Sequence, residues 1–289
     1  MLYPITEEEY RNFRGFLEEA TGILLGDNKH YLVASRLHRL LEEQRLSNIG
    51  ELLVRLHRER HGELRGRIIE AMTTNETLWF RDIHPYEILK NLILPELANI
   101  GNRRVTVWSS ACSSGQEPYS ISIVAEEFLS RRSGALSGGV SILATDISTR
   151  VLNEARNAIY DPTSITRGLS EERRKRFMIP ITTKTGQAWE VRPEIRARVT
   201  FREFNLTEPL LGIGRFDIIF CRNVLIYFSS EFKRTLLSRF TGVLNPGGWL
   251  VLGASESIAG ISENFEMIRA ERSVVYRHIV PRSTTSLLR

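Results

Sequence analysis

VTVWSSACSSGQEPY, residues 105–119, decides the fold. An apolar, β-branched run begins at Val105, breaks into a loop of Ser, Ala, Cys and Gly, and leads into a helical pattern from Tyr119 to Leu129. The order is strand, small-residue turn, helix N-terminus. In an open α/β sheet the crevice past such a turn is where nucleotide-like ligands sit. Small side chains let a ligand lie against bare backbone, and the first-turn amides supply donors. Further on, SILATD ends a second apolar run in Asp146, a carboxylate suited to gripping ribose hydroxyls. The pair predicts an adenosyl-type ligand without saying which one.

From about Val105 onward strands and helices alternate, which predicts an α/β fold with a doubly wound, mostly parallel sheet. Val151, Leu152, Ala155 and Ile159 indicate a helix opened by Ser148 or its neighbours. FDIIFC (216–221) reads as a buried strand, and Ser229 or Ser230 can cap the helix carrying Phe232, Leu236, Leu237 and Phe240. Asn245-Pro246-Gly247-Gly248 reads as a turn before the strand WLVLGAS (249–255). A terminal pair, about 265–269 and 273–279, closes the sheet, and PRSTTSLLR (281–289) reads as a frayed tail. Between about 161 and 200 the alternation breaks. There the charged run EERRKRF precedes a hairpin, ITTK-TG-QAWEV, read as a small antiparallel β insertion. Its exposed edge can accept a peptide as an added strand; decoration without function fits the pattern equally well.

Upstream, residues 1–72 read as an all-helical domain. Thr6 and Glu9 make a capping box, and Tyr10, Phe13, Leu17, Ala20 and Leu24 follow at helical spacing. Val33, Leu37, Leu40 and Leu41 mark a second helix, Ile49, Leu52, Leu53 and Leu56 a third, and Leu64, Ile68 and Met72 a fourth. Arg36, Arg39 and Lys29 cluster off the apolar stripe of the second helix, with Arg45, Arg55, Arg58 and Arg60 nearby. Such arginines suit either a docking surface or an ordinary solvated face.

The chain has 289 residues, 42% hydrophobic and 25% charged, as expected of a soluble globular protein. No apolar run reaches the roughly 18 residues that span a bilayer, and MLYPITEEEY lacks the pattern of a secretory signal. A cytoplasmic location is therefore expected. The net charge of +5 fits nucleic-acid binding, an acidic protein partner, or plain solubility. Cys112 and Cys221, the two cysteines, have no metal-ligand spacing and form no disulfide framework; a packing role is favoured for both.

Six separated motifs then occur in order: TTNETLWFRD (73–82), WSSACSSGQEPYS (108–120), ATDIS (144–148), FNL (204–206), FDIIFCRNVLIYF (216–228) and NPGGWLVLGASES (245–257). Over nearly its whole length the chain resembles the CheR chemotaxis receptor methyltransferases, S-adenosylmethionine-dependent protein-glutamate O-methyltransferases. Two departures, Trp79 in WFR where the family often reads FFR and Gln116 in QEPYS where it often reads EEPYS, keep the aromatic and Glu117. The resemblance implies a Rossmann-like methyltransferase domain over 73–289 behind the helical domain. It also implies S-adenosylmethionine as cofactor, S-adenosylhomocysteine as product, and no metal. The implied cofactor residues are Asn75, Thr77 and Arg81 over the methionine end, Glu117 facing its cationic part, Asp146 at the ribose, Asn205 and Leu206 at the adenine, and Asn223 and Val224 along the pocket wall. Arg81 and Tyr227 are the implied groups orienting the acceptor carboxylate, and Arg36, Arg39 and Arg45 become candidates for docking substrate. The implied partner is the cytoplasmic helical region of methyl-accepting chemotaxis receptors, met by a monomer without nucleic acid or membrane insertion. A nucleic-acid methyltransferase and a non-enzymatic adaptor remain the alternatives.

Overall fold

The computed structural model describes residues 5–59, 62–101, 103–132 and 134–279. The tail 281–289 and Arg60 of the basic cluster lie outside the described residues. Helix α1 (Glu7–Thr21) opens with the expected capping box, in which the Thr6 hydroxyl accepts from the Glu9 N–H and the Glu9 carboxylate accepts from the Thr6 N–H. Gly22, at φ 75°, ends it, so Leu24 leaves the helix and stays exposed rather than joining the stripe. Then come α2 (His30–Gln44), α3 (Ile49–Arg58) and α4 (Glu63–Met72). Their stripes close over one core containing Phe13, Leu17, Val33, Leu37, Leu52 and Ile68.

A helical run that sequence reading left unassigned follows: α5 (His84–Ile88), a π-helical turn (Leu89–Ile93) and α6 (Leu94–Asn99). The widened turn comes just before Pro95, which has no N–H to give and whose ring crowds the carbonyl four residues back.

The α/β part runs β1 (Val105–Ser109), α7 (Gln116–Arg131), β2 (Val140–Asp146), α8 (Thr149–Asn157), β3 (Ile159–Tyr160), α9 (Pro162–Thr166), α10 (Glu171–Phe177), β4 (Met178–Thr183), β5 (Gly186–Val191), α11 (Pro193–Arg196), β6 (Val199–Glu203) and β7 (Phe216–Cys221). A 3-10 turn (Leu225–Tyr227), α12 (Ser230–Val243), β8 (Leu244–Leu252), β9 (Phe265–Ala270) and β10 (Ser273–His278) complete it. The seven-stranded sheet has the order β6-β2-β1-β7-β8-β10-β9. It is parallel from β6 through β8, and β10 is antiparallel to both of its neighbours. Strand order reverses between β1 and β7, so the crevice opens at their C-terminal ends. Alternation along each strand sorts the core onto two faces. Val107, Ile218, Phe220, Trp249 and Val251 pack with α5–α7 on one face; Trp108, Ile219, Leu250 and Leu252 pack with Leu236, Leu237 and Phe240 of α12 on the other.

Three local readings change. Ile159 belongs to β3, because Ala158 turns left-handed (φ 55°) and stops α8 before it. The insertion is therefore three-stranded, β3-β5-β4, and its tight turn is Lys184-Thr185, since Thr183 pairs with Gly186. Asn245–Gly248 is a bulge inside β8, which already pairs at Leu244 and regains register at Trp249. Asn245 holds that bulge in place by donating from Nδ2 to Asp217 Oδ1 at 2.7 Å.

Candidate functional site

The loop after β1 is tied down by its own backbone. The Ser110 N–H donates to the Phe220 carbonyl (2.9 Å), Cys112 N–H to the Thr145 carbonyl (2.8 Å), and Ser113 N–H to Asp146 Oδ2 (2.8 Å). These three loop amides are taken by the protein itself, and what the loop offers a ligand is the absence of side-chain bulk. Gly115, at φ 96°, lets it turn into α7, since a Cβ there would stand 2.9 Å from both the Ala155 methyl and the Tyr160 hydroxyl. The insertion thus supports the loop, and Tyr160 Oη also donates to the Ser114 carbonyl at 2.7 Å.

Asp146 ends β2 with one oxygen on the Ser113 N–H and the other on the Ser148 N–H (3.0 Å). Burial raises its carboxyl above the usual aspartate range, against the pull of those two amides. Each oxygen keeps lone-pair capacity for a further donor. Glu117, in the first turn of α7, is also buried; Oε1 accepts from Ser109 Oγ (2.8 Å) and Oε2 from Arg222 Nη1 (3.0 Å). Burial pushes its carboxyl up while Arg222 and Ser109 oppose the shift.

Arg222, which the sequence reading passed over, sits one residue past β7 with its side chain 1% exposed. It also reaches the Arg81 carbonyl (2.7 Å), Asp82 Oδ2 (2.8 Å) and Tyr86 Oη (3.3 Å). Burial disfavours its charge, but Tyr86, Glu117 and Asp82 hold it on. Two carboxylates face one guanidinium here, leaving one negative charge in excess. Its signal was in the sequence, an arginine directly after the buried strand pattern FDIIFC.

Glu256 was missed as well. Its carboxylate accepts from the backbone N–H groups of Asn223 (2.7 Å), Gly253 (2.8 Å) and Ile226 (3.3 Å). It thereby fixes Asn223 in a left-handed conformation (φ 58°) and anchors the 3-10 turn that carries Tyr227. A short 3-10 turn, not an α-helix, follows Asn223 and Val224.

One cleft, with about 1130 Å³ of space out to its open mouth, is lined by Asn75, Thr77, Arg81, Glu117, Asp146, Asn205, Leu206, Asn223, Val224 and Tyr227. Every residue proposed for cofactor or reaction thus faces the same space. Thr21, the last residue of α1, and Ile23, just past it, line it too, which nothing in their sequence signalled. Ile23 bridges to Phe228, the Leu24 N–H donates to the Tyr227 carbonyl (2.8 Å), and Asn205 Nδ2 donates to the Ala20 carbonyl (2.7 Å). On the opposite side Glu70 of α4 accepts from Ser148 Oγ at 2.7 Å and the Arg150 N–H at 3.0 Å.

The three docking candidates lie apart from the cleft lining. Arg36 is committed inward, its guanidinium bonding the Met72 carbonyl and, at 2.8 Å, Thr74 Oγ1. Arg39 is exposed and pairs with Glu43 at 2.7 Å. Arg45 is exposed at the left-handed end of α2.

Comparisons agree with this two-part architecture. Residues 8–73 match the CheR methyltransferase all-alpha domain, and residues 75–274 match the CheR methyltransferase SAM binding domain. The chain is 48% identical over 270 residues to the chemotaxis protein methyltransferase Cher2 of Pseudomonas putida, covering 93% of this chain and 97% of that protein. It is 46% identical over 274 residues to the chemotaxis protein methyltransferase of Vibrio parahaemolyticus, covering 94% and 98%. Among solved structures, the magnesium protoporphyrin IX methyltransferase of Synechocystis with bound SAM aligns at TM-score 0.36 and 16% identity, covering 68% of this chain and 78% of that one. With both domain descriptions matched in order and nearly all of two relatives' lengths covered, this chain belongs to the CheR methyltransferase family.

Proposed function

We propose that this protein transfers the methyl group of S-adenosylmethionine to glutamate carboxylates in the cytoplasmic helical region of chemotaxis receptors, working in the cytoplasm as a monomer. One observation carries the reading: all ten cofactor and reaction candidates line a single cleft whose floor holds two buried carboxylates, Asp146 and Glu117. The donor set fits the cofactor. Asp146 suits a ribose diol, the surplus negative charge around Glu117 suits an ammonium, and the Arg81 fork suits a carboxylate. Phe204 and Leu206, buried at the cleft wall, give a flat base apolar surroundings.

Bound S-adenosylmethionine supplies a methyl carbon on a cationic sulfur, and transfer forms a C–O bond as the C–S bond breaks, leaving S-adenosylhomocysteine. A glutamate, with an ordinary pKa of about 4.3, is already an anion at neutral pH, so no general base is needed. The work left to the protein is alignment and partial removal of water. Arg81 and Tyr227 orient the acceptor oxygen, and the Glu256 clamp on the Asn223–Ile226 backbone keeps Tyr227 in register. Arg39 of α2 and Arg45 at its end, both exposed, meet the acidic receptor helix. The outer edge of β4, at the margin of the β3-β5-β4 sheet, takes receptor polypeptide as an added strand, bonding on either side of Pro180, which has no N–H to offer.

The test is tritium transfer from methyl-labelled cofactor to receptor cytoplasmic fragments and, in parallel, to RNA and DNA. Label on the receptor that base releases as methanol supports the ester reading. Labelled nucleic acid, or cofactor binding without turnover on a matched receptor, rejects it. Calorimetric titration of receptor tail peptides tests the β4 edge.

A further inference from the structure

We infer that Arg222 is the positioning residue that assembles the methionine-binding end of the cleft, by fixing the turn that carries Arg81 and the carboxylate of Glu117 at the same time. The inference rests on the cofactor reading above and goes beyond it, because Arg222 acts through two other residues.

The turn needs such a support. Phe80 (φ 48°), Asp82 (φ 68°) and Ile83 (φ 54°) all have positive φ, with Arg81 among them. A positive φ is unfavourable for any residue with a side chain and most so for a β-branched one such as Ile83. Runs of this kind persist only where their surroundings over-determine them. Arg222 provides that from inside: one nitrogen, Nη2, holds both the Arg81 carbonyl and the Asp82 carboxylate. Its other terminal nitrogen, Nη1, holds Glu117 and Tyr86. The planar fork therefore sets a fixed spacing between the backbone of Arg81 and the carboxylate of Glu117. A lysine, a single point charge, does not span those partners. The exposed side of the turn is held by a further contact, the Ala254 N–H on Asp82 Oδ2 at 3.4 Å.

A double-mutant cycle read by calorimetric titration of S-adenosylhomocysteine tests the assignment. Arg222→Met is expected to weaken binding at least about 30-fold in the wild-type background but less than about threefold further in an Arg81→Ala, Glu117→Gln background. Losses of equal size in both backgrounds would mean general damage to the fold and overturn the assignment. Should Arg222→Met fail to fold, Asp82→Asn decides, because its side chain is 29% exposed and it leaves the Arg222–Glu117 pair intact. Asp82→Asn is expected to weaken binding about fivefold, an effect that disappears in the Arg81→Ala background; wild-type affinity in Asp82→Asn overturns the assignment. A wild-type protein that binds no S-adenosylhomocysteine refutes the cofactor reading and this assignment with it, an outcome distinct from equal losses.

Discussion

Replacing Asp146 by asparagine changes one atom and tests the cofactor site at its floor. Both carboxylate oxygens accept backbone N–H groups, Ser113 at 2.8 Å and Ser148 at 3.0 Å. An amide keeps one acceptor and turns its NH2 toward the other N–H, donor against donor. At 8% exposure water cannot relieve the clash, so the fold loses about 1–3 kcal/mol. On the ligand side, a charge-assisted bond to a ribose hydroxyl is exchanged for a neutral one or none. Bonds to charged groups are worth about 1.5–3 kcal/mol, which corresponds to roughly 10- to 100-fold in affinity. Calorimetric titration of S-adenosylhomocysteine into Asp146→Asn should show that loss, and a melt should show a lower Tm. The pH dependence adds a signature. Burial raises the Asp146 carboxyl in the free protein, whereas hydroxyl donors favour its charged form. Wild-type affinity therefore falls on the acid side from a pH above the ordinary aspartate range, and Asp146→Asn lacks the aspartate's share of that fall. Binding within twofold of wild type, with an unchanged pH profile, would refute the reasoning.

Glu256→Gln leaves one oxygen for three backbone N–H groups, and we expect about tenfold slower methyl transfer with a modest drop in Tm. Leu24→Pro, at an exposed residue, removes the N–H that holds the Tyr227 carbonyl and restricts the backbone of Ile23 before it; receptor methylation should slow more than S-adenosylhomocysteine affinity, by calorimetry, falls. Gly115→Ala, with contacts of 2.9 Å at φ 96°, should cost about 1–3 kcal/mol in denaturant unfolding and weaken cofactor binding. Asp217 sits at the far end of β7. Burial pushes its carboxyl up, but Arg103, the Thr106 N–H and Asn245 together hold it below the usual aspartate range. Its stabilisation is present above the ordinary aspartate pKa and is lost as pH falls through the depressed native value. Asp217→Asn should therefore lower unfolding stability by about 2–4 kcal/mol at pH 7, less in acid, with cofactor affinity unchanged.

Periodicity revealed the helical stripes of α1–α4 and the buried strands β1, β2 and β7 because each reports a local alternation of burial. It failed where a backbone conformation overrode side-chain pattern. Ala158 turning left-handed ended α8 at Asn157, two residues before Ile159, and the Asn245–Gly248 stretch kept pairing as a bulge although its residues spell a turn. Of the ten candidates that line the cleft, Asp146 was legible from its place at the end of an apolar strand run, and the other nine came from the ordered motifs. Arg222 and Glu256 escaped because their work is to hold other groups, and their partners come from segments far away in sequence. Asp82 is 140 residues before Arg222, and Asn223 is 33 before Glu256. Thr21 and Ile23 carry no chemistry that sequence would flag; the Ile23–Phe228 bridge and the hydrogen bonds from Leu24 to Tyr227 and from Asn205 to Ala20 bring them to the cleft.

That bridge has a consequence for turnover. With Ile23 joined to Phe228 at one seam and Glu70 joined to Ser148 at another, the helical domain is tied to the α/β part at two places. Spent nucleoside can leave by the mouth the receptor occupies, or one seam must part first. Along the first route the modified receptor departs before the thioether does, and each receptor visit yields a single ester.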